Sequence, residues 1–262
     1  MELGLKGKTA LITGGSKGIG YAVADEFARE GMNLHLAARS ADELAGAKAR
    51  LVEAYGVEVA THAVDLSKRD VRDGLARECA SVDILVNNAG AVPGGGLDQV
   101  DEDRWRAAWD LKLFGYIGMS RIIYKSMCER GKGVIINIVG SGGINTSANY
   151  ICGGPNNAAL IYFTNALGGA SVHQGVRVCG VNPGPVETDR LIFLRGIAEE
   201  KIPPAEREAW RKTQAAKYAY GRPARPDEIS GFVAFLASDR ASYVSGAMLT
   251  VDGGLSARGG GQ

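Results

Sequence analysis

Short apolar runs with strand character recur along the chain and alternate with segments that have the period of an α-helix. Between the first two runs, Ile19, Val23 and Phe27 fall on one helical face and charged residues fall on the other. Strands that alternate with helices predict a parallel sheet covered on both faces. We therefore predict a doubly wound, Rossmann-type α/β fold with a mostly seven-stranded parallel sheet. The predicted strands are Thr9–Thr13, Asn33–Ala37, Glu58–Ala63, Ile84–Val86, Gly133–Ile138, Arg177–Val181 and Met248–Val251.

The whole chain, residues 1–262, is predicted to form a single domain, because no linker or repeat interrupts this alternation. One polar stretch of helical character, residues 188–220, departs from it, with Pro203 and Pro204 as a helix start and Trp210 as an apolar anchor. It follows the carboxyl end of a strand, where open α/β sheets bind ligands. We interpret the stretch as a substrate lid; the alternative is an ordinary packing excursion.

The composition and charge of the chain limit the kinds of molecule that it is expected to bind. The 262 residues are 45% hydrophobic and 23% charged, and the formal net charge is +1. Such a balance argues against an electrostatic nucleic-acid or membrane partner. No apolar stretch approaches the roughly 20 residues that span a bilayer, and the N-terminus lacks the apolar core of a signal peptide. We expect a cytoplasmic protein with a small-molecule substrate.

The cysteines and histidines show no metal-ligand spacing along the chain. Of the cysteines, only Cys152 lies where a functional role is conceivable. The histidines fall on no catalytic position, so we assign all of them to structure or surface and predict no metal. The residues concerned are Cys79, Cys128, Cys152, Cys179, His35, His62 and His173.

A glycine-rich segment, Thr13–Gly20, follows the first predicted strand and opens the first predicted helix. Glycines permit a tight turn and a close approach of the backbone to a pyrophosphate, which then lies at the helix N-terminus. The strand before and the helix after supply the context that a lone glycine cluster lacks. The segment therefore predicts a dinucleotide-binding site.

The same segment has the TGxxxGxG pattern of the short-chain dehydrogenase/reductase family, and the chain resembles that family from residue 5 to 254. Asn87–Gly90 is similar to its NNAG motif, Asp65 and Leu66 to its adenine-facing pair, and Val181–Gly184 to the segment over the nicotinamide. The C-terminal stretches Gly221-Arg222-Pro223 and Asp252-Gly253-Gly254 also match. The cofactor-binding residues that the resemblance implies are Gly14, Ser16, Lys17, Gly18, Ile19, Gly20, Arg39, Ser40, Asp65, Leu66, Asn88, Ala89, Gly90, Pro183, Gly184, Val186 and Thr188.

The choice between NAD and NADP follows from charge. A carboxylate about 20 residues past the glycines would bind the ribose 2′-hydroxyl of NAD, but that place holds Ala38, followed by Arg39 and Ser40. A 2′-phosphate needs cations and donors, which Arg39 and Lys17 can supply. We predict NADP(H); the alternative is that Arg39 is merely a solvated surface residue.

The resemblance implies hydride transfer between nicotinamide and a carbonyl or alcohol carbon. The family uses a tyrosine as general acid/base, a lysine one helical turn later, an upstream serine and an asparagine on a preceding helix. Asn157–Leu160 stands where the family has KAAL, which places Asn157 at the lysine, Gly153 at the tyrosine, Gly140 at the serine and Lys112 at the asparagine position. The resemblance therefore implies that the catalytic residues are substituted.

Four residues are candidates for the remodelled chemistry: Lys112, Ser141, Tyr150 and Asn157. Lys112 and Asn157 are exchanged relative to the family, so the ammonium has moved across the site; random drift is the alternative. Pro155 predicts a helix start that leaves Tyr150 in the preceding loop, either as a replacement donor or as an ordinary loop aromatic. Ser141 is either a substitute hydroxyl or a generic loop residue. Glycines around them predict an enlarged pocket.

We therefore expect an NADP(H)-dependent oxidoreductase that acts on an unknown carbonyl or alcohol with a non-standard active site. The alternatives are a catalytically inactive NADP(H)-binding protein, serving as a sensor or oligomer partner, and a non-redox reaction in the same pocket. The family resemblance also implies a homotetramer. Its physical support is a long helix from about Asp101 to Cys128 and the segment from Pro155, both apolar on more than one face.

Overall fold

A computed structural model describes residues 2–218 and 220–258 of the chain. It contains one seven-stranded sheet in the order β3-β2-β1-β4-β5-β6-β7, and every neighbouring pair is parallel. The predicted fold class is confirmed, and three strands have the predicted bounds. Positions 1, 219 and 259–262 of the predicted domain and lid lie outside the described residues. The strands are β1 Thr9–Thr13, β2 Asn33–Ala38, β3 Val59–Ala63, β4 Ile84–Asn87, β5 Gly133–Ile138, β6 Val176–Pro183 and β7 Met248–Val251.

The helices lie between the strands, and two of them differ from the prediction. The predicted continuous helix from about Asp101 to Cys128 is divided at Lys112 into α4 and α5. The helix predicted to start at Pro155 begins at Gly153 instead, so the proline lies inside the first turn, where its missing N–H costs nothing. The helices are α1 Gly18–Arg29, α2 Ala41–Tyr55, α3 Arg69–Glu78, α4 Glu102–Leu111, α5 Leu113–Arg130, α6 Gly153–Ser171, α7 Asp189–Glu200, α8 Arg207–Ala216 and α9 Asp227–Ala237.

The central strands are mostly apolar because both faces of the sheet are covered there. Ile12 and Val86 point to the face packed by α1, α2 and α9, where Phe27 is fully buried. Their neighbours Leu11 and Leu85 point to the opposite face, which is packed by α3 and α5. Side chains of successive strand residues alternate between faces, so the two cores share every central strand.

The strand order reverses between β1 and β4, which lie side by side although β2 and β3 intervene in the chain. A crevice opens at such a switch point, outside the carboxyl ends of the strands. The glycine segment leaves β1 there, and Asn88 follows β4 at the same edge. The fold therefore places both predicted cofactor motifs at one position.

The predicted lid consists of α7, a short 3₁₀ turn at Pro204–Glu206 and α8. Neither α7 nor α8 has a buried residue, and Phe193 on α7 is 67% exposed. The segment thus covers the carboxyl edge of the sheet without joining either core. Within residues 2–218 and 220–258, no helix is long and apolar enough to cross a membrane.

Candidate cofactor and active site

The glycine loop is shaped by close backbone contacts. Gly14 and Gly18 have φ values of +69° and +59°, a left-handed conformation that favours glycine. A Cβ atom on Gly20 would lie 2.1 Å from the carbonyl oxygen of Gly14, so no side chain fits between the loop and α1. The first turn of α1 has no acidic residue, and its N-cap, Lys17, makes no side-chain capping bond. Its backbone N–H groups can therefore donate hydrogen bonds to an anionic pyrophosphate.

The residues after β4 are bound directly to this loop. The Thr13 hydroxyl oxygen accepts hydrogen bonds from the backbone N–H groups of Asn88, at 2.9 Å, and Ala89, at 3.0 Å. The Asn88 amide donates to the carbonyl of Thr13 at 2.9 Å. These bonds hold the two predicted cofactor motifs as one rigid unit across the switch point.

The segment after β6 approaches the same loop from the other side. A Cβ atom on Gly18 would lie 3.3 Å from Cγ2 of Thr188, so the start of α1 faces the start of α7. Pro183 ends β6, and a side chain on Gly184 would meet Asp252 at 2.8 Å. Val186 forms an isolated parallel bridge with Ala224. The predicted nicotinamide segment therefore lies beside both the pyrophosphate loop and the C-terminal motif.

The cations predicted for a 2′-phosphate differ in their environments. Lys17 Nζ lies 2.7 Å from Oε1 of Glu43, and the Ser16 hydroxyl donates to the other carboxylate oxygen at 3.1 Å. The hydrogen bond from Lys17 lowers the pKa of Glu43. Arg39 is exposed and makes no hydrogen bond or ion pair with another described residue. Lys17 is thus already paired with Glu43, whereas Arg39, the other cation predicted for the 2′-phosphate, is not paired with a described residue.

Glu43 was not among the predicted site residues, although a sequence signal for its position exists. Ser40 caps α2, since its hydroxyl accepts the backbone N–H of Glu43 at 3.2 Å. A serine followed three residues later by a glutamate is the pattern of a capping box. Here the Glu43 side chain reaches Ser16 and Lys17 instead of the cap residue. The capping-box pattern predicts that Glu43 lies in the first turn of α2, but it does not predict that the side chain contacts the glycine loop.

The predicted adenine-facing pair follows β3. The Asp65 carboxylate accepts hydrogen bonds from the Ser67 hydroxyl, at 2.7 Å, and from the Ser67 backbone N–H, at 3.0 Å. The Ser67 hydrogen bond lowers the pKa of Asp65, and the nearby Arg39 charge lowers it further. Leu66 is buried in the core beneath α3. Asp65 therefore has a fixed, ionised carboxylate on the side of the site where Arg39 lies.

Lys112 and Asn157 are in direct contact. Lys112 Nζ donates to Oδ1 of Asn157 at 2.8 Å and to the backbone carbonyl of Val139 at 2.6 Å. Both side chains are buried. Burial, together with the charge of Arg190, lowers the pKa of Lys112 from its ordinary 10.5 to about 8. Lys112 and Asn157, which the family resemblance implies are exchanged, therefore form one hydrogen-bonded pair that joins the break between α4 and α5 to α6.

The glycine motif after β4 adjoins this pair. A Cβ atom on Gly90 would lie 3.0 Å from Cδ of Lys112, so the lysine stem packs on the Gly90 backbone. Ile19, another predicted cofactor residue, packs its partly buried side chain against the core under α1. The predicted cofactor-binding residues and the predicted catalytic residues are therefore adjacent in the structure.

The ring of Tyr150 fills the space beside two glycines. A Cβ atom on Gly153 would lie 2.0 Å from Cζ of Tyr150, and one on Gly142 would lie 2.9 Å from Cε1. The sequence predicts that these glycines enlarge the pocket. In the structure, the Tyr150 ring occupies the space beside them instead. The Tyr150 hydroxyl makes no hydrogen bond to another described residue. Burial raises the pKa of Tyr150, and Arg190 partly opposes this.

Ser141 and Gly140 lie at the end of β5. Ser141 begins a 3₁₀ turn and is 9% exposed, and its backbone carbonyl accepts from Ile144 and Asn145. Gly140 has φ +128°, which L side chains rarely adopt, and a Cβ there would lie 3.1 Å from Nδ2 of Asn157. A serine at position 140 would therefore be strained in this backbone.

Arg190 was missed by the sequence analysis. It lies in the first turn of α7, and Nη2 donates to the backbone carbonyl of Val92 at 2.7 Å. Its charge acts on both Lys112 and Tyr150. The nearest sequence signal is its place two residues after Thr188, in a segment that the sequence assigns to the lid. Its approach to the other two residues depends on how α7 folds back over the sheet.

Three features now define the class of the protein: a parallel sheet with a switch point between β1 and β4, a glycine cradle, and an open helix N-terminus. They are those of a Rossmann-type dinucleotide-binding protein. The sequence profile of a family described as enoyl-(acyl carrier protein) reductase matches residues 14–256.

Curated relatives match over nearly their whole length. A 3-oxoacyl-[acyl-carrier-protein] reductase of Chlamydia trachomatis is 32% identical, over 96% of this chain and 98% of the relative. A 3beta-hydroxysteroid dehydrogenase of Eggerthella lenta is 34% identical, over 96% and 94%. The solved L-sorbose reductase of Gluconobacter frateurii, complexed with NADPH and L-sorbose, has a TM-score of 0.91 at 32% identity, over 97% and 98%. The chain belongs to the short-chain dehydrogenase/reductase family of NAD(P)-dependent oxidoreductases.

Proposed function

We propose that this protein is an NADP(H)-dependent oxidoreductase that interconverts a carbonyl and an alcohol with a remodelled acid/base apparatus. The observation that carries the proposal is the direct contact of Lys112 with Asn157, beside a Tyr150 ring that occupies the space over Gly153. The resemblance to the family implies that Lys112, Asn157 and Gly153 stand where an asparagine, a lysine and a tyrosine are usual. The same kinds of group are thus present, in different places.

NADP(H), when bound, supplies or accepts the hydride. The residues present fit that cofactor: the Gly14–Gly20 cradle admits backbone only, and the N-terminus of α1 offers unpaired N–H donors to the pyrophosphate. Arg39 is free to pair with a 2′-phosphate, and Ala38 leaves no carboxylate to select NAD. The relatives agree with this assignment, since L-sorbose reductase and actinorhodin polyketide ketoreductase were both solved with NADPH.

Tyr150 is the candidate proton donor. Burial raises its pKa, so the phenol is neutral at pH 7 and carries a proton that it can give to a developing alkoxide. Because little phenolate is present at neutral pH, the group is in the protonated form that reduction of a carbonyl requires, and we propose reduction as the reaction that Tyr150 assists. Ser141 is the remaining hydroxyl candidate for holding the substrate oxygen.

Lys112 and Asn157 act as positioning residues in this proposal. With a pKa of about 8, the Lys112 ammonium is predominantly charged at pH 7, and its bonds to Asn157 and Val139 fix its direction. A fixed positive charge stabilises negative charge that develops nearby in the transition state. Asn157 orients that charge in place of the usual lysine.

Arg190 suggests the substrate class. It stands at the start of α7, and its charge reaches both Tyr150 and Lys112. A guanidinium at the edge of a site attracts carboxylate or phosphate groups. We infer a carbonyl substrate that carries an anionic group, in a family whose relatives include reductases of acyl-carrier thioesters, sugars and steroids.

We also propose the homotetramer that the family resemblance implies, and a cytoplasmic location. Phe114 on α5 is 52% exposed and Tyr162 on α6 is 77% exposed. Exposed aromatic side chains on neighbouring helices are typical of surfaces that another subunit covers.

The test is NADPH consumption by the purified chain with neutral ketones, anionic keto acids and β-ketoacyl thioesters. We expect slow turnover, fastest with the anionic substrates. Tyr150→Phe should reduce it by about 10²- to 10⁴-fold, the usual loss when a general acid is removed. Tyr243→Phe, which alters a fully exposed hydroxyl, serves as the matched control and should leave turnover unchanged.

Two results would count against the proposal. Rapid wild-type turnover that survives both Tyr150→Phe and Lys112→Ala would place the chemistry on other residues. Failure to bind NADPH in calorimetry would remove the cofactor assignment. Lys125→Ala, which removes an exposed lysine from α5, controls for a general loss of positive charge.

A further inference from the structure

Three residues that are far apart in the chain converge beneath the sheet edge formed by β2 and β3. His35 Nδ1 lies 2.9 Å from Nε2 of His62, and Sγ of Cys79 lies 3.5 Å from the first nitrogen and 3.9 Å from the second. The planes of the two imidazole rings are nearly parallel, with centroids 5.2 Å apart, so the rings meet edge to edge at these nitrogens. Three potential metal-ligand atoms therefore lie within 4.8 Å of one another.

The strand register explains why the histidines meet. His35 pairs with Ala60, and Ala37 pairs with His62. Residues paired across parallel strands, and residues two apart in one strand, share a face of the sheet. Both imidazoles therefore point to the face that α3 covers, and Cys79, which caps the C-terminus of α3, meets them there. No spacing along the sequence reveals this arrangement, because each residue comes from a different element.

Glu78 fixes the direction of one ring. Its carboxylate lies 3.6 Å from Nδ1 of His62, on the ring edge opposite the cluster. A carboxylate on that side favours the tautomer with the hydrogen on Nδ1, which leaves the Nε2 lone pair on the side of His35 and Cys79. Such a carboxylate–histidine pair is the usual outer partner of a metal-ligating imidazole.

The cluster has more electron pairs than hydrogens to satisfy them. One hydrogen between the two nitrogens engages both, and the Cys79 sulfur then faces nitrogens that are already paired. A cation at the centre would accept one electron pair from each of the three atoms. The ligand set, two imidazoles and one thiolate, suits a borderline-soft divalent metal and not the oxygen-seeking Mg²⁺ or Ca²⁺.

We propose that His35, His62 and Cys79 form a Zn²⁺ site, with Glu78 orienting His62. Tetrahedral Zn²⁺, with bonds of about 2.0–2.1 Å to nitrogen and about 2.3 Å to sulfur, holds two nitrogens about 3.3 Å apart and a nitrogen and sulfur about 3.6 Å apart. The observed separations of 2.9, 3.5 and 3.9 Å differ from these by about 0.4 Å or less. Water completes the fourth position.

Binding has a defined proton balance and entry side. Burial raises the pKa of the Cys79 thiol to about 12, so the metal displaces a proton from sulfur to solvent as the Zn–S bond forms. The hydrogen between the two ring nitrogens is replaced by the metal, and His35 takes the tautomer with its hydrogen on Nε2, so both rings stay neutral. Cys79 is fully buried, while Glu78 is 66% exposed at the rim of the cluster. The metal therefore enters past Glu78 and His62. None of these residues belongs to the proposed cofactor site or acid/base apparatus.

The test uses the full chain, freed of metal by a chelator and titrated with Zn²⁺ and with Co²⁺ as a spectroscopic substitute. We expect one Zn²⁺ per chain after gel filtration, and a cobalt complex with a thiolate-to-metal charge-transfer band. Cys79→Ser should abolish that band, and His35→Asn or His62→Asn should weaken binding at least tenfold. The matched controls are Cys128→Ser and His173→Asn, which alter residues outside the cluster.

A thermal melt separates loss of ligand from loss of fold. Zn²⁺ should raise the melting temperature of the wild type and of both control variants, because it binds only the folded chain. Each cluster variant should still melt cooperatively, but the same concentration of Zn²⁺ should raise its melting temperature less than that of the wild type. A wild-type cobalt complex without the thiolate band, or Zn²⁺ binding that survives in both Cys79→Ser and His35→Asn, would overturn the proposal.

Discussion

The ring of Tyr150 occupies the position that a side chain on Gly153 would need. A Cβ atom built on Gly153 lies 2.0 Å from Cζ of the tyrosine, a distance that no two carbon atoms can share without a covalent bond. Gly153 begins α6, and Tyr150 lies in the loop just before it. The glycine therefore makes room for an aromatic ring that comes from three residues upstream.

This contact predicts that Gly153→Ala lowers stability when Tyr150 is present and does not lower it when Tyr150 is removed. Gly153→Ala should destabilise the wild type by about 1–3 kcal/mol, because the new methyl group overpacks against Tyr150. In a Tyr150→Ala background the same change should become neutral or stabilising, since alanine is up to about 1 kcal/mol better than glycine in a helix. Denaturant unfolding of the single and double variants measures the coupling.

Gly169→Ala, in the same helix, supplies the control. A Cβ at that position has no atom within 4 Å, so the change should be neutral or stabilising in both backgrounds. Equal effects of Gly153→Ala with and without Tyr150 would show that the ring does not occupy this space in solution.

Glu43 should limit the preference for NADP(H). Its carboxylate lies 2.7 Å from Nζ of Lys17, where it would repel a 2′-phosphate bound by Lys17 and Arg39. We expect Glu43→Gln to tighten NADPH binding several-fold with little effect on NADH. Arg39→Asp should weaken NADPH binding by about tenfold or more, as expected for loss of a charge-assisted hydrogen bond.

Calorimetric titration with both cofactors measures these changes. Glu53→Gln, on the exposed side of the same helix, should leave both affinities unchanged. Tighter wild-type binding of NADH than of NADPH would contradict the cofactor assignment, as would an Arg39→Asp variant that keeps its preference.

Lys112 should give turnover a pH dependence of definite sign. Its pKa is about 8, so the ammonium is charged below that pH and neutral above it. If its charge assists the reaction, turnover falls as pH rises through about 8. Arg190→Ala removes a repelling charge, raises the pKa of Lys112 and should move this fall to higher pH. Steady-state pH profiles of turnover test this prediction. If turnover of Lys112→Ala still falls at the same pH, the fall is caused by another titrating group.

The titration of Lys112 should affect stability and turnover in opposite directions. As pH rises, stability should increase where turnover falls. Between about 8 and 10.5 the unfolded chain binds the Lys112 proton and the folded chain does not, so the contribution of Lys112 to the free energy of unfolding rises with pH across this window. Below about 8 the cost of burying the charge is present in full. Urea unfolding of wild type and Lys112→Met at several pH values isolates this contribution.

The proposed tetramer has a simple physical test. If Phe114 and Tyr162 lie in an interface between subunits, Phe114→Glu and Tyr162→Glu together should lower the mass in light scattering from tetramer to a smaller species. Val52→Glu changes an exposed apolar residue on α2 and should leave the mass unchanged. A monomer mass for the wild type at micromolar concentration would contradict the proposal.

The sequence by itself determines the sheet and the cofactor loop. Its apolar runs predict β1, β5 and β7 to the residue, because each is a mostly apolar run with β-forming residues and has polar or turn residues next to it in the chain. The glycines of the Gly14–Gly20 loop are equally recognisable, since their spacing between a strand and a helix is a local pattern, although Gly14 and Gly18 also face residues that are distant in the chain. Signals of this kind depend on residues close together in the chain.

Only the tertiary structure decides which side chains meet from distant elements. Lys112 reaches Asn157 because α4 and α5 break at the lysine, a feature that the helical period hides. Glu43 neutralises Lys17 because α2 packs beside the glycine loop. His35, His62 and Cys79 converge from two strands and a helix end. These contacts form through long-range packing, whose geometry leaves no regular spacing in the sequence, so no local pattern could have predicted them.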